Sequence, residues 1–214
     1  MRSTIYLNLR CYHCGAKAHA PENTIASFQK ALDLGCDEIE TDVWLMDGGK
    51  LLISHDRPAS AAGLLTLDDV LDFCRGRLGV NVEIKCAESD ARAKETGVRV
   101  ASLIAARNDD DLYVSSFWYS ALVGAREAAP QVRRAFVYGA APDMSALLTQ
   151  ARSLGLWALH PERYYVTPER VAAAHAASLH MNVWTVNDPP EIARLAAWGV
   201  DGIMSDYPER VPKG

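Results

Sequence analysis

No stretch of the 214-residue sequence approaches the roughly 18 consecutive apolar residues that a membrane span needs, so membrane insertion is not expected. Basic runs are equally missing. The 22 Lys and Arg are scattered among 27 Asp and Glu, for a formal net charge of -5, which argues against a nucleic-acid partner. The opening residues lack the apolar core of an export signal, because Asn8 and Arg10 interrupt the only hydrophobic run. A cytoplasmic location is therefore expected. Cysteines number five, an odd count that does not suit a disulfide framework in a chain without an export signal. Cys11 and Cys14 form a CxxC, but no second CxxC supplies soft ligands for zinc. A redox CxxC opens a helix, whereas here GAKAHAPE separates Cys14 from the first helical pattern. Internal repeats, low-complexity segments and linkers are also lacking.

What is present is ample apolar material: 49% hydrophobic against 23% charged residues, enough for a sizeable core in a single domain spanning residues 1–214. Short β-rich runs alternate with helical patterns throughout. Strands are predicted over Ile5–Tyr12, Glu38–Leu45, Val80–Lys85, Leu112–Phe117, Val132–Val137, Leu156–His160, Val183–Val186 and Gly202–Met204. Helices are predicted over Thr24–Leu34, Leu67–Cys74, Asp90–Ala106, Ser120–Ala128, Met144–Leu154, Pro168–Ala177 and Pro190–Trp198. A repeated β-then-α order implies parallel strands covered by helices. Eight such units favour an α/β fold of the (β/α)8 barrel type, compact at this length. After the second strand, an Asp-Gly turn and a short return strand carry the chain to His55, above the barrel mouth.

Strand periodicity places Glu40 and Asp42 on one side, about 7 Å apart, and gives Glu83 and Lys85 the same relation on the next strand. Carboxylates inside a barrel are costly unless paired, hydrogen-bonded or metal-bound. Oxygen-only ligands suit a hard divalent cation, Mg²⁺ or Ca²⁺, rather than zinc. An internal salt-bridge network is the alternative reading of the same four residues. His13 and His55 end segments at the same rim, where two imidazoles can serve as general base and general acid near neutral pH. Phe117, Trp118 and Trp184 suit either the core or a stacking wall, with Phe117 and Trp184 favoured for the wall because they lie near strand ends. Asn187 either orients the rim or caps the last helix. His19, His160, His175 and His180 read as structural or exposed.

The segments APENT, EIETDV, SHD, NVEIK, SSF, WTVN and GVDGIMSDYP stand together in an order that resembles the glycerophosphodiester phosphodiesterase family of metal-dependent (β/α)8 barrels, from about residue 10 to residue 208. The resemblance implies that His13 and His55 are catalytic, that Glu40, Asp42 and Glu83 hold the metal, and that Lys85 contacts phosphate. It also implies attack on phosphorus by a neighbouring substrate hydroxyl, giving a cyclic phosphate that water opens. The small-molecule phosphodiester would be the partner. Two departures stand out. The family's HRG reads HCG here, so Cys14 occupies the place of a phosphate-binding arginine and cannot offer its bidentate fork; Lys17 or Arg57 is the expected stand-in beside Lys85. The family's small subdomain after the second histidine is largely missing, which opens the pocket to a bulkier polyol or sugar phosphodiester, such as an opine-like one. A non-catalytic ligand-binding barrel and a lyase releasing the cyclic phosphate are the alternatives.

Overall fold

A computed structural model describes residues 9–12 and 15–212. Nine strands lie in one sheet in the order β1-β9-β8-β7-β6-β5-β4-β2-β3, and a further β1–β2 pairing closes it. These strands are β1 (Leu9–Tyr12), β2 (Glu38–Leu45), β3 (Leu51–Ile53), β4 (Gly79–Ile84), β5 (Leu112–Ser116), β6 (Arg133–Tyr138), β7 (Ala158–Pro161), β8 (His180–Val183) and β9 (Gly202–Ser205). Every barrel pairing is parallel. β3 is the exception, an antiparallel return strand laid on β2 with Val43 opposite Ile53 and Leu45 opposite Leu51. The architecture is therefore a (β/α)8 barrel with one appended strand.

The outer helices are α1 (Ile25–Asp33), α2 (Leu67–Cys74), α3 (Asp90–Arg107), α4 (Tyr119–Ala128), α5 (Met144–Leu154), α6 (Pro168–Ala176) and α7 (Pro189–Ala197). Local chemistry sets their starts. Thr24 with Ser27, and Thr66 with Asp69, form reciprocal capping boxes at α1 and α2, while Ser89, Asp143, Thr167 and Asp188 cap α3, α5, α6 and α7. Each such cap satisfies amide donors the helix leaves open, for about 1 kcal/mol. The core lies between this helical ring and the strands, with Phe28, Ile39, Leu67, Val80, Val114, Leu122, Leu159 and Ile203 almost fully buried.

Two expectations are corrected or bounded. The seventh barrel strand was expected over Val183–Val186 and runs over His180–Val183 instead. Ser178 turns the chain with φ 59°, and the ladder starts two residues later, pairing Ala158 with His180 and Asn182 with Gly202. The apolar 184–186 run lies at the exit of that ladder, held by Val186 N to Met204 O at 2.9 Å. The first strand is seen over its last four residues, and residues 5–8 fall outside those described. From Ser54 to Leu65 the chain passes without helix or strand to α2, so the subdomain expected to be missing is indeed lacking.

Candidate active site

The barrel's inward positions follow strand periodicity: Glu40 and Asp42 on β2, with Asn81 and Glu83 opposite them on β4. Lys85 lies one residue beyond β4, where its amide still bonds Val43 O at 2.9 Å. One ligand oxygen from each of Glu40, Asp42 and Glu83 lies within 4.8 Å of the other two. Lys85 Nζ stands 2.9 Å from Asp42 Oδ1 and 2.5 Å from Glu83 Oε1. Burial works against the Lys85 charge, but Glu83, Asp42 and Glu40 outweigh it and hold its pKa well above the usual lysine range. The ammonium stays charged. The three carboxylates cluster, and the lysine bridges two of them. Three carboxylates against one ammonium leave two negative charges in a largely closed site, and hard oxygen donors at this spacing suit a divalent cation.

Asn23 fixes the cluster's geometry. Its side chain donates to Asp42 Oδ2 at 3.1 Å and accepts from Thr41 Oγ1 at 2.8 Å. The residue is 8% exposed with φ 56°, a left-handed conformation that asparagine tolerates better than most residues. In the sequence Asn23 stands in the APENT motif beside Thr24, and either could cap the first helix; Thr24 does so, and the tie of Asn23 to Asp42 was not legible from spacing.

His55 stands at the cavity wall, with Nδ1 3.0 Å from Asp56 Oδ1. Trp44 Nε1 donates to Ser54 O at 3.0 Å and pins the return strand just before it. His13 and Cys14 lie outside the described residues. The cavity measures about 180 Å³ and is lined by Glu40, His55, Asn81, Glu83, Lys85, Phe117, Val137, His160, Trp184 and Met204. Phe117 and Trp184 meet edge to face at 5.6 Å, and Trp184 Nε1 is anchored on His160 O at 2.8 Å. Trp118 turns away and donates to Cys86 O at 3.0 Å. Asn187 donates to Asp206 Oδ2 at 2.7 Å and accepts from Ser205 Oγ and Asp206 N. Asp188 caps α7, so Asn187 orients the rim. Lys17 pairs with Glu22 and Arg57 with Glu88 at 2.6 Å. His160, expected to be structural or exposed, is buried and lines the cavity.

A larger hollow, about 680 Å³, opens at the other end of the barrel around Asp109, Asp110, Asp111 and Arg133. Barrel enzymes work at the C-terminal ends of their strands, where the carboxylate cluster lies, so the smaller cavity is the candidate site.

The model of the glycerophosphoryl diester phosphodiesterase family matches residues 13–62 and 57–210. The chain belongs to this family. A glycerophosphodiester phosphodiesterase of Caldanaerobacter subterraneus subsp. tengcongensis is 28% identical over 235 residues, covering 92% of this chain and 93% of the relative. Another from Bacillus altitudinis is 28% identical over 238 residues, covering 94% and 95%. Among solved structures, an Oleispira antarctica phosphodiesterase in complex with its product sn-glycerol-3-phosphate superposes with a TM-score of 0.85 at 26% identity, covering 96% of each chain. Membership makes the chain a phosphoric diester hydrolase by family. Among the described residues, no helix is long and apolar enough to cross a membrane.

Proposed function

We propose that the chain hydrolyses a glycerophosphodiester, or a related polyol or sugar phosphodiester such as an opine-like one, to an alcohol and a phosphomonoester. The observation that carries this is the convergence of Glu40, Asp42 and Glu83 within 4.8 Å beside the cavity that Glu40, Glu83, His55 and Lys85 line. The family match and the product named in the Oleispira antarctica structure support the substrate class.

Glu40, Asp42 and Glu83 would hold the cation, Mg²⁺ or Ca²⁺, which when bound supplies positive charge to the phosphate oxygens and the adjacent hydroxyl. Lys85 adds a fixed ammonium for the same anion. Of the imidazoles of His13 and His55, one takes the proton of the neighbouring hydroxyl as its oxygen bonds phosphorus, and the other protonates the departing alcohol oxygen as its bond to phosphorus breaks. Water then opens the cyclic phosphate to the monoester. Phe117 and Trp184 give the organic part an apolar wall. Asp56 against Nδ1 leaves Nε2 of His55 as the nitrogen for proton transfer. Cys14 supplies no charge to the phosphate, and Lys17 and Arg57 are the proposed stand-ins. Each would give up a carboxylate partner to reach it.

Glycerophosphoethanolamine incubated with Mg²⁺ or Ca²⁺ should release a phosphomonoester by ³¹P NMR, and His55→Ala should lower kcat by about 10²–10⁴-fold. Methylating the neighbouring hydroxyl should block cleavage; rapid hydrolysis of the methylated diester would refute internal attack. Binding without turnover would favour the ligand-binding barrel instead, and accumulation of the cyclic phosphate would favour the lyase.

A further inference from the structure

Level with Glu40 and below Glu83, the cavity is lined by polar groups where a barrel interior more often packs branched aliphatic side chains. Asn81 on β4 and His160 on β7 line the same cavity as Glu40 and Glu83, and each is 1% exposed. Asn81 precedes Glu83 by two strand residues, about 6.6 Å further into the barrel. His160 Nε2 lies 3.1 Å from the Asn182 Nδ2 amide. An amide nitrogen only donates, so Nε2 accepts and the ring proton sits on Nδ1. Among the described residues, neither that Nδ1 nor Asn81 Oδ1 has a hydrogen-bond partner. Buried polar groups are seldom left so. Burial pushes the His160 pKa down to about 3, so the ring is neutral at working pH. Among the described residues of the cavity, Lys85 stands with the carboxylates, and neither Asn81 nor His160 offers a phosphate a positive charge. A hydroxyl, which donates and accepts at once, answers both groups.

We propose that Asn81 and His160 form a hydroxyl-binding subsite that takes the hydroxyl one carbon beyond the attacking one, and so selects glycerol-like polyols over simple diols. The inference rests on the phosphodiesterase reading above and deepens it: the two residues determine specificity, while the chemistry stays with the carboxylates and histidines.

The test compares glycerophosphoethanolamine with the diester in which propane-1,2-diol replaces glycerol, keeping the attacking hydroxyl and dropping the distal one. The wild type should favour the glycerol diester by about tenfold or more in kcat/KM, because a site built to bond a hydroxyl penalises its absence. His160→Leu and Asn81→Leu should bring the two substrates to within about twofold, through loss on the glycerol diester alone, whereas His160→Gln, which keeps a donor, should retain part of the preference. A wild type indifferent to the distal hydroxyl, or full preference in both leucine variants, overturns the proposal. Calorimetric titration of wild type and His160→Gln with sn-glycerol 3-phosphate and with propane-1,2-diol phosphate reads the subsite without turnover. It also serves if a leucine variant fails to fold. Tighter binding of the glycerol phosphate supports the subsite even where no diester is cleaved, an outcome that would sink the phosphodiesterase reading alone; equal binding of the two overturns the subsite even if hydrolysis proceeds.

Discussion

Asn23 is the clearest case of a single side chain setting the site's geometry. Its amide holds one oxygen of Asp42 and so leaves the other to Lys85. Such outer partners are typically worth about 10–100-fold in metal affinity or activity. Asn23→Ala should therefore raise the cation concentration for half-maximal activity by about tenfold, with saturating cation restoring much of kcat; a titration of activity against Mg²⁺ or Ca²⁺ checks it. His160 gives a prediction in pH. Its folded pKa of about 3 lies below the ordinary value near 6.5, so between these values the unfolded chain binds the extra proton. Stability then rises with pH across that window, is fully present above about pH 6.5, and is progressively lost as pH falls toward 3. His160→Gln removes this contribution, and urea unfolding between pH 4 and 7 should show a flatter acid limb than the wild type. Equal slopes would mean that His160 takes up its proton in the fold as readily as in the unfolded chain.

At the scale of elements, the contact between α3 and α4 depends on two glycines. A Cβ at Gly97 would run into the Ala121 carbonyl, and one at Gly124 into that of Lys94. In an exposed helix, Gly to Ala gains up to about 1 kcal/mol. Here overpacking reverses the sign, and Gly97→Ala should destabilise by about 1–3 kcal/mol in chemical denaturation. The sequence showed these segments as helices because polar caps and apolar spacing are local signals, and it placed α3 and α5 to within a residue of their observed ends. It could not show that Gly97 faces Gly124's helix, since that depends on partners 24 or more positions away. The seventh barrel strand was displaced for a related reason: Trp184 and Val186 carry strand propensity, yet pairing partners on β7 and β9 choose His180–Val183. Tertiary pairing overrides local preference.

For the whole molecule, carboxylate positions were legible because period-two spacing on β2 and β4 survives into the closed barrel, whereas Asn81 and His160 carry no signal until closure brings their strands to one cavity. Closure also concentrates charge. Glu40, Asp42 and Glu83 against Lys85 leave two of the chain's five net negative charges at one largely closed mouth. The unfolded chain separates these groups and has no comparable site, so a divalent cation binds the folded state preferentially and stabilises it by mass action, by about 2.7 kcal/mol at a hundredfold excess over Kd. For a chain of this size that corresponds to a rise in Tm of about 5–10 °C. Adding Mg²⁺ or Ca²⁺ to chelator-treated protein should produce this shift in differential scanning calorimetry and restore activity together. Glu40→Gln combined with Asp42→Asn should abolish the shift while raising the Tm of the metal-free protein, because two buried like charges are removed. An unchanged Tm in the wild type would mean that Lys85 and the surrounding dipoles already neutralise the cluster, and the salt-bridge network would then be its whole function.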